Sequence, residues 1–381
     1  MKKFLLIILT LFLFCNITQA QENCEKEIQF IYINGSNNND LKMKNWFYNG
    51  VEKMHPNMYK AFSESAFINE KLLNNGEYKL AQTPETFFWG DKSKVEIENI
   101  NSDLAITKIF SPKIAQSVRK LLANCLHDAI WVSHYRNMHP IIEDLHKQVM
   151  ENHKNKKSVV LLGYSAGAFV TYEYLFNKFA GIDANEYIQK QNTSEKIKKY
   201  TKEHQKKETC IDALVKSQIA IYNAENNLMP NSNEEILLSG YKKLDNYTCE
   251  YCIPEGTLKG LINFASPLVL FYSDISNPNY PLTDYNKLLY KHMLENDIFW
   301  LTVNYAEDPL GYPTTKNLSY DDLKEKLKIN VNQREGFLYS KSDIKTSRTF
   351  IGAHTSYWAT SKKFSKGVVK AYEEGYKLYN K

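Results

Sequence analysis

The run Ser158-Val159-Val160-Leu161-Leu162-Gly163-Tyr164-Ser165-Ala166-Gly167-Ala168-Phe169-Val170 constrains the fold more than any other stretch of this chain. Residues 159–162 are apolar without alternation, so both faces of the segment must be covered, as in a strand buried within a parallel sheet. The run breaks at Gly163-Tyr164-Ser165-Ala166-Gly167, a G-x-S-x-G. Beyond it Ala168, Phe169, Tyr172, Leu175, Phe176 and Phe179 recur at helical spacing. A strand that turns at once into a helix brings two stretches of backbone close together, and Gly163 and Gly167 leave room for that approach. The predicted turn lifts the Ser165 hydroxyl clear of the sheet and aims the first amides of the helix at whatever it attacks. A G-x-S-x-G arises by chance in about one chain in ten of this length. Its position between an apolar strand and an amphipathic helix marks Ser165 as a nucleophile rather than an idle serine in a packed turn.

The rest of the 381-residue chain sets the context. Residues 1–20 have the form of a secretory signal: Lys2 and Lys3, an apolar stretch over 4–14 too short to span a bilayer, and Thr18-Gln19-Ala20 as a small-x-small cleavage site. The expected product is soluble and secreted or periplasmic. Removing Lys2 and Lys3 lowers the formal charge from +5 to +3, a mild excess that points to no nucleic-acid partner. Five cysteines remain: Cys24, Cys125, Cys210, Cys249 and Cys252. The lone C-x-x-C of Cys249 and Cys252 lacks the further ligands of a zinc site, so no metal and no cofactor is expected. A structural disulfide among Cys210, Cys249 and Cys252 fits an oxidising compartment, and the odd count leaves one thiol over.

Strand-like segments at 27–33, 86–89, 260–265 and 297–303 alternate with helical ones at 41–73 (broken at Pro56), 112–125, 141–153 and 362–379. Residues 128–132 read as a strand or a helix start, and 348–351 as a last short strand. This alternation predicts an α/β architecture, a mostly parallel sheet wrapped by helices on both faces. Residues 181–258 differ: they are polar, with six lysines between 196 and 207, and they hold three of the five remaining cysteines. They are expected to form a partly helical cap inserted into a core of 21–180 and 259–381. The lysine run reads first as a solvated helix face.

A serine hydroxyl attacks poorly unless a base takes its proton, and the base needs a carboxylate to fix its tautomer. In open parallel sheets such groups sit in loops at the carboxyl ends of strands. The strand at 297–303 runs into Asn304-Tyr305-Ala306-Glu307-Asp308-Pro309, where Pro309 restricts the backbone of Asp308 to extended shapes. Asp308 is therefore the candidate acid, with Glu307 as fallback. Of nine histidines only His354 follows Asp308, just past the last expected strand, and it is the candidate base. Tyr164, Tyr357, Trp358 and Tyr272 could line an aromatic pocket for substrate. Trp89, at the end of another strand, reads better as a core residue than as a pocket wall.

The chain order Ser165…Asp308…His354, together with Gly163-Tyr164-Ser165-Ala166-Gly167, Ala265-Ser266-Pro267-Leu268 and Asp308-Pro309, resembles the α/β-hydrolase superfamily, in particular its lipase- and esterase-like members. The resemblance spans roughly residue 29 to the C-terminus apart from 181–258. It implies that Ser165 attacks a carbonyl, His354 shuttles the proton and Asp308 orients His354. It also implies an oxyanion hole built from the Ala166 amide and a second amide in the loop after the first strand. That loop commonly carries His-Gly; here it reads Asn34-Gly35-Ser36-Asn37, which leaves the second donor open among Gly35, Ser36 and Asn37.

The function expected from these readings is an exported serine esterase acting on lipid or other acyl esters, with peptide and thioester bonds left open. Two alternatives share the scaffold. One is a catalytically inactive binding protein at the cell surface, whose Lys-rich insertion makes peripheral contact with anionic headgroups. The other is an acyltransferase that uses the same three residues and excludes water.

Overall fold

A computed structural model describes residues 26–36, 41–90, 135–178, 253–269, 293–294, 296–314, 317, 319–321, 325, 336–348 and 351–380. The signal-like segment, the five cysteines, the expected elements at 112–125 and 128–132, Asn37, Tyr272 and almost all of the 181–258 insertion lie outside them.

Seven strands appear among the described residues: β1 (Lys26–Ile33), β2 (Tyr78–Leu80), β3 (Glu85–Phe87), β4 (Lys157–Tyr164), β5 (Leu258–Phe264), β6 (Phe299–Tyr305) and β7 (Phe337–Ile344). They form one sheet in the order β2-β1-β4-β5-β6-β7, with β3 also paired to β1, and the sheet curls into a half-barrel. Every pairing is parallel. The strand that the apolar run predicted, β4, lies at the centre and is buried along nearly its whole length.

Helices cover both faces. The helices are α1 (Leu41–Glu64), α2 (Ala66–Lys71), α3 (Tyr135–Lys154), α4 (Gly167–Lys178), the short α5 (Ile351–His354) and α6 (Ser361–Tyr379). On one face Phe30 meets Phe62 of α1 at 5.3 Å between ring centroids, and Phe299 and Phe337 each meet Tyr372 of α6 at 5.1 Å. On the other, Trp300 lies against Tyr172 of α4, and the Thr171 hydroxyl donates to Asn263 Oδ1 at 2.8 Å. The alternation of Trp300 with Phe299, and of Asn263 with Phe264, sorts neighbouring side chains to opposite helix layers.

Several expectations shift. The helix at 41–64 runs straight through Pro56, whose missing amide costs one bond of the ladder, while Met54, His55 and Met58 around it are buried against the core. The break falls instead at Ser65, which caps α2 by accepting from the Ile68 amide. The strand expected from residue 297 starts at Phe299, because Asp297 takes a φ of 54° and turns the chain. The strand expected at 348–351 falls partly outside the described residues; Ile351–His354 is a helical turn, and the last strand among the described residues is β7. Lys341 and Asp343 disguise β7 as a loop in the sequence. In the fold Lys341 is buried and paired with Asp343 and with Glu374 of α6, at 3.0 and 2.9 Å.

Candidate active site

The turn after β4 is built as the glycines imply. A Cβ on Gly163 would stand 2.7 Å from Asn263 Oδ1 and 2.8 Å from the Gly167 carbonyl oxygen; one on Gly167 would stand 2.7 Å from the Ile33 carbonyl oxygen. Neither distance is available to a real side chain, so strand, helix and the loop after β1 can meet only through glycine. Between them Ser165 adopts a φ of 51°, in the left-handed region that a non-glycine residue occupies only when its surroundings impose it. The imposing contacts are its amide, which donates to the Phe264 carbonyl at 2.9 Å, and its carbonyl, which accepts from the Ala168 amide at 3.0 Å.

The three candidates separated by up to 189 positions come together. Ser165 Oγ lies 3.0 Å from His354 Nε2. His354 Nδ1 lies 3.0 Å from Asp308 Oδ1 and 3.1 Å from Oδ2. With the carboxylate as acceptor, Nδ1 carries the proton, and Nε2 is left as acceptor for the serine hydroxyl. This is the tautomer a general base requires.

Each member is anchored by its own element. The Asp308 carboxylate is fully buried and accepts from the Leu310 amide at 3.0 Å through Oδ1, while its own amide donates to the Tyr305 carbonyl at 3.1 Å. Asn304 ties the same loop down: its Nδ2 donates to the Tyr312 carbonyl, and its Oδ1 accepts from the Ser266 amide. His354 ends the helical turn α5, and its carbonyl accepts from the Tyr164 hydroxyl at 3.0 Å. Glu307, the fallback acid, is elsewhere engaged: its carboxylate accepts from the Thr346 amide at 2.8 Å and fixes the loop after β7. Among the other histidines, His55 and His146 are buried beside the Tyr32 and Tyr174 hydroxyls and serve packing.

The loop after β1 abuts the serine. A Cβ on Gly35 would fall 2.8 Å from Ser165 Cβ and 2.9 Å from the Tyr164 carbonyl oxygen. Asn34, wholly buried, sets the shape of this loop. Its Nδ2 donates to the Gly35 carbonyl, its Oδ1 accepts from the Trp89 amide, and its backbone carbonyl accepts from Trp89 Nε1. Trp89 is accordingly a core residue, and Asn34, in the sequence only a variant of His-Gly, fixes the loop beside Ser165. Among the described residues the Ala166 amide has no hydrogen-bond partner, which leaves it available to an anion beside Ser165. A Cβ at Gly35 would displace Ser165, so Gly35→Ala should slow labelling of the Ser165 hydroxyl by a fluorophosphonate about a hundredfold, the effect of a misplacement of about 1 Å. Calorimetry on the same variant separates a displaced serine from a loosened fold.

The aromatic residues assigned to a substrate pocket are placed differently. Tyr357 and Trp358 are buried; Trp358 packs on Gly50, Trp46, Phe47 and Tyr164, and Tyr357 lies behind Asp308. Tyr164 is also buried, its ring 5.6 Å from the His354 ring. All three support the site from within. A tyrosine three residues after the candidate base was the available signal for a second contact to the acid.

Among the described residues no cluster of His, Cys, Asp or Glu is arranged to hold a metal ion, and no helix is long and apolar enough to cross a membrane. No protein-family model matches the chain, and neither a curated protein nor a solved structure matches it.

Proposed function

We propose that this chain is an exported serine hydrolase of the α/β-hydrolase type that cleaves carboxylic esters of lipid or other acyl groups through a covalent acyl-enzyme. The observation that carries the proposal is the continuous line from Ser165 Oγ through both ring nitrogens of His354 to the Asp308 carboxylate. The all-parallel sheet and the chain order Ser, Asp, His support the same reading.

In this reaction Ser165 Oγ forms a bond to the carbonyl carbon as its proton passes to His354 Nε2. The carbonyl π electrons move to oxygen, and the resulting oxyanion is held by the Ala166 amide and a second amide from the loop after β1. Each such donor lowers the barrier by about 3 kcal/mol. Collapse of the intermediate breaks the bond to the leaving alkoxide, which takes the proton from Nε2. Water, deprotonated by the same nitrogen, then repeats the sequence and frees the acid. Asp308 keeps Nδ1 protonated and stabilises the imidazolium formed in both halves. The left-handed backbone at Ser165 holds the hydroxyl where the base can reach it.

A fluorophosphonate probe tests the assignment. Wild type should be labelled once per chain and Ser165→Ala not at all, with intact-mass spectrometry as the readout. Equal labelling of the variant would remove Ser165 from the mechanism.

A further inference from the structure

We propose that Tyr357 is a positioning residue for this reaction, holding the Asp308 carboxylate by its Oδ2 so that the carboxylate faces His354 Nδ1. The inference rests on the reading of Ser165, His354 and Asp308 given above, and extends it to a residue that touches neither the serine nor a substrate.

The Tyr357 hydroxyl donates to Asp308 Oδ2 at 2.8 Å, and the same oxygen accepts from the Tyr305 amide at 2.9 Å. The phenol oxygen therefore bridges β6 and the acid that follows it. Its ring is fully buried, stacked on Tyr305 with centroids 4.3 Å apart and planes 22° apart, and edged by Phe364 at 5.2 Å. A ring so enclosed has one position for its oxygen. Burial first, and the charge of Asp308 next, push the phenol well above its ordinary range, so it stays an O–H donor.

The carboxylate needs that donor. Fully buried, it has the Leu310 amide on Oδ1, the Tyr357 hydroxyl on Oδ2 and the His354 N–H shared between them. Without Tyr357, Oδ2 keeps only its share of the histidine proton, and the carboxylate loses one of the contacts that set its rotation about Cβ–Cγ while it stays paired with His354. Tyr357 also follows His354 by three residues. One short segment thus carries both the base and the hydroxyl that fixes the acid, while the Tyr164 hydroxyl holds the His354 carbonyl from the nucleophile side.

The experiment is the second-order rate constant for fluorophosphonate labelling across pH, measured on the full-length protein for wild type, Tyr357→Phe, Asp308→Asn and the double variant. The groups facing the His354–Asp308 pair among the described residues are Ser165, Tyr164 and Tyr357. Tyr357→Phe keeps the stack and should slow labelling roughly ten- to hundredfold, as expected for losing a hydrogen bond to a charged group. A carboxylate with one donor fewer holds the imidazolium more tightly, so the acid limb of the profile should move to higher pH. In the Asp308→Asn background the same substitution should cost less than about twofold, because its route is already cut.

A Tyr357→Phe variant with the wild-type rate and acid limb would overturn the proposal. So would a slower variant whose acid limb has not moved, or an equal loss in both backgrounds. Should the phenylalanine variant fail to fold, 3-fluorotyrosine at position 357 gives a stronger donor of nearly the same shape, and its acid limb should move to lower pH; an unmoved limb overturns the proposal. An unlabelled wild type would overturn the serine hydrolase reading and this inference with it, whereas a labelled wild type with an unaffected Tyr357→Phe overturns this inference alone.

Discussion

His354→Ala is expected to lower turnover of a p-nitrophenyl ester by about a million-fold, as much as removing the nucleophile itself. The reason is the single contact at 3.0 Å between Ser165 Oγ and His354 Nε2. A serine hydroxyl without a base stays protonated at neutral pH and attacks no faster than an alcohol in water. What survives is the contribution of the oxyanion donors and of binding, about a thousandfold or more above the uncatalysed rate. Because serine and histidine act as one unit, Ser165→Ala combined with His354→Ala should be no slower than either alone. Steady-state assays on the three variants, with far-ultraviolet circular dichroism to establish folding, provide the check. A His354→Ala enzyme within tenfold of wild type would mean that another group takes the proton.

Asp308→Asn carries the second largest expected effect, a fall of about ten thousandfold in turnover with the fold retained. Asp308 Oδ1 accepts from the Leu310 amide, a donor that no change of tautomer removes, so the amide nitrogen of asparagine is excluded from that position. It must occupy the place of Oδ2, facing Tyr357 and still within reach of Nδ1. There it donates to Nδ1 and selects the tautomer with hydrogen on Nε2, which faces Ser165 and can no longer accept its proton. Glu307→Gln is the companion measurement. Its side chain retains an oxygen for the Thr346 amide, and turnover should stay within about threefold of wild type. A loss at Glu307 matching that at Asp308 would reassign the acid.

The parts of the site legible in the sequence are those encoded by local chemistry. Gly163 and Gly167 mark a place where backbones touch, and contact distances under 3 Å bear out the requirement. Pro309 marks a restricted residue before it, and Asp308 is the residue held. The supporting residues carry no such mark. Asn34, Asn304, Tyr164 and Tyr357 are ordinary polar residues until partners 38 to 190 positions away are brought beside them. Aromatic residues near a candidate base suggest a binding surface, yet Tyr357 and Trp358 are buried and face inward. β7 carries no local mark for a related reason, since the ion pair that shelters Lys341 depends on Glu374 of α6.

By itself the sequence determined the strand, turn and helix around Ser165, the α/β alternation, and the order in which Ser165, Asp308 and His354 occur along the chain. These follow from periodicity, from the absence of side chains at two glycines, and from a proline that narrows one backbone, all properties of residues close together in the chain. Only the tertiary structure decided that Ser165, His354 and Asp308 stand within 3.1 Å of their neighbours, which carboxylate faces His354, and which tyrosines touch the two. Hydrogen-bond partners distant in sequence are chosen by the stacking of strands and the packing of helices upon them, and no local pattern records that choice.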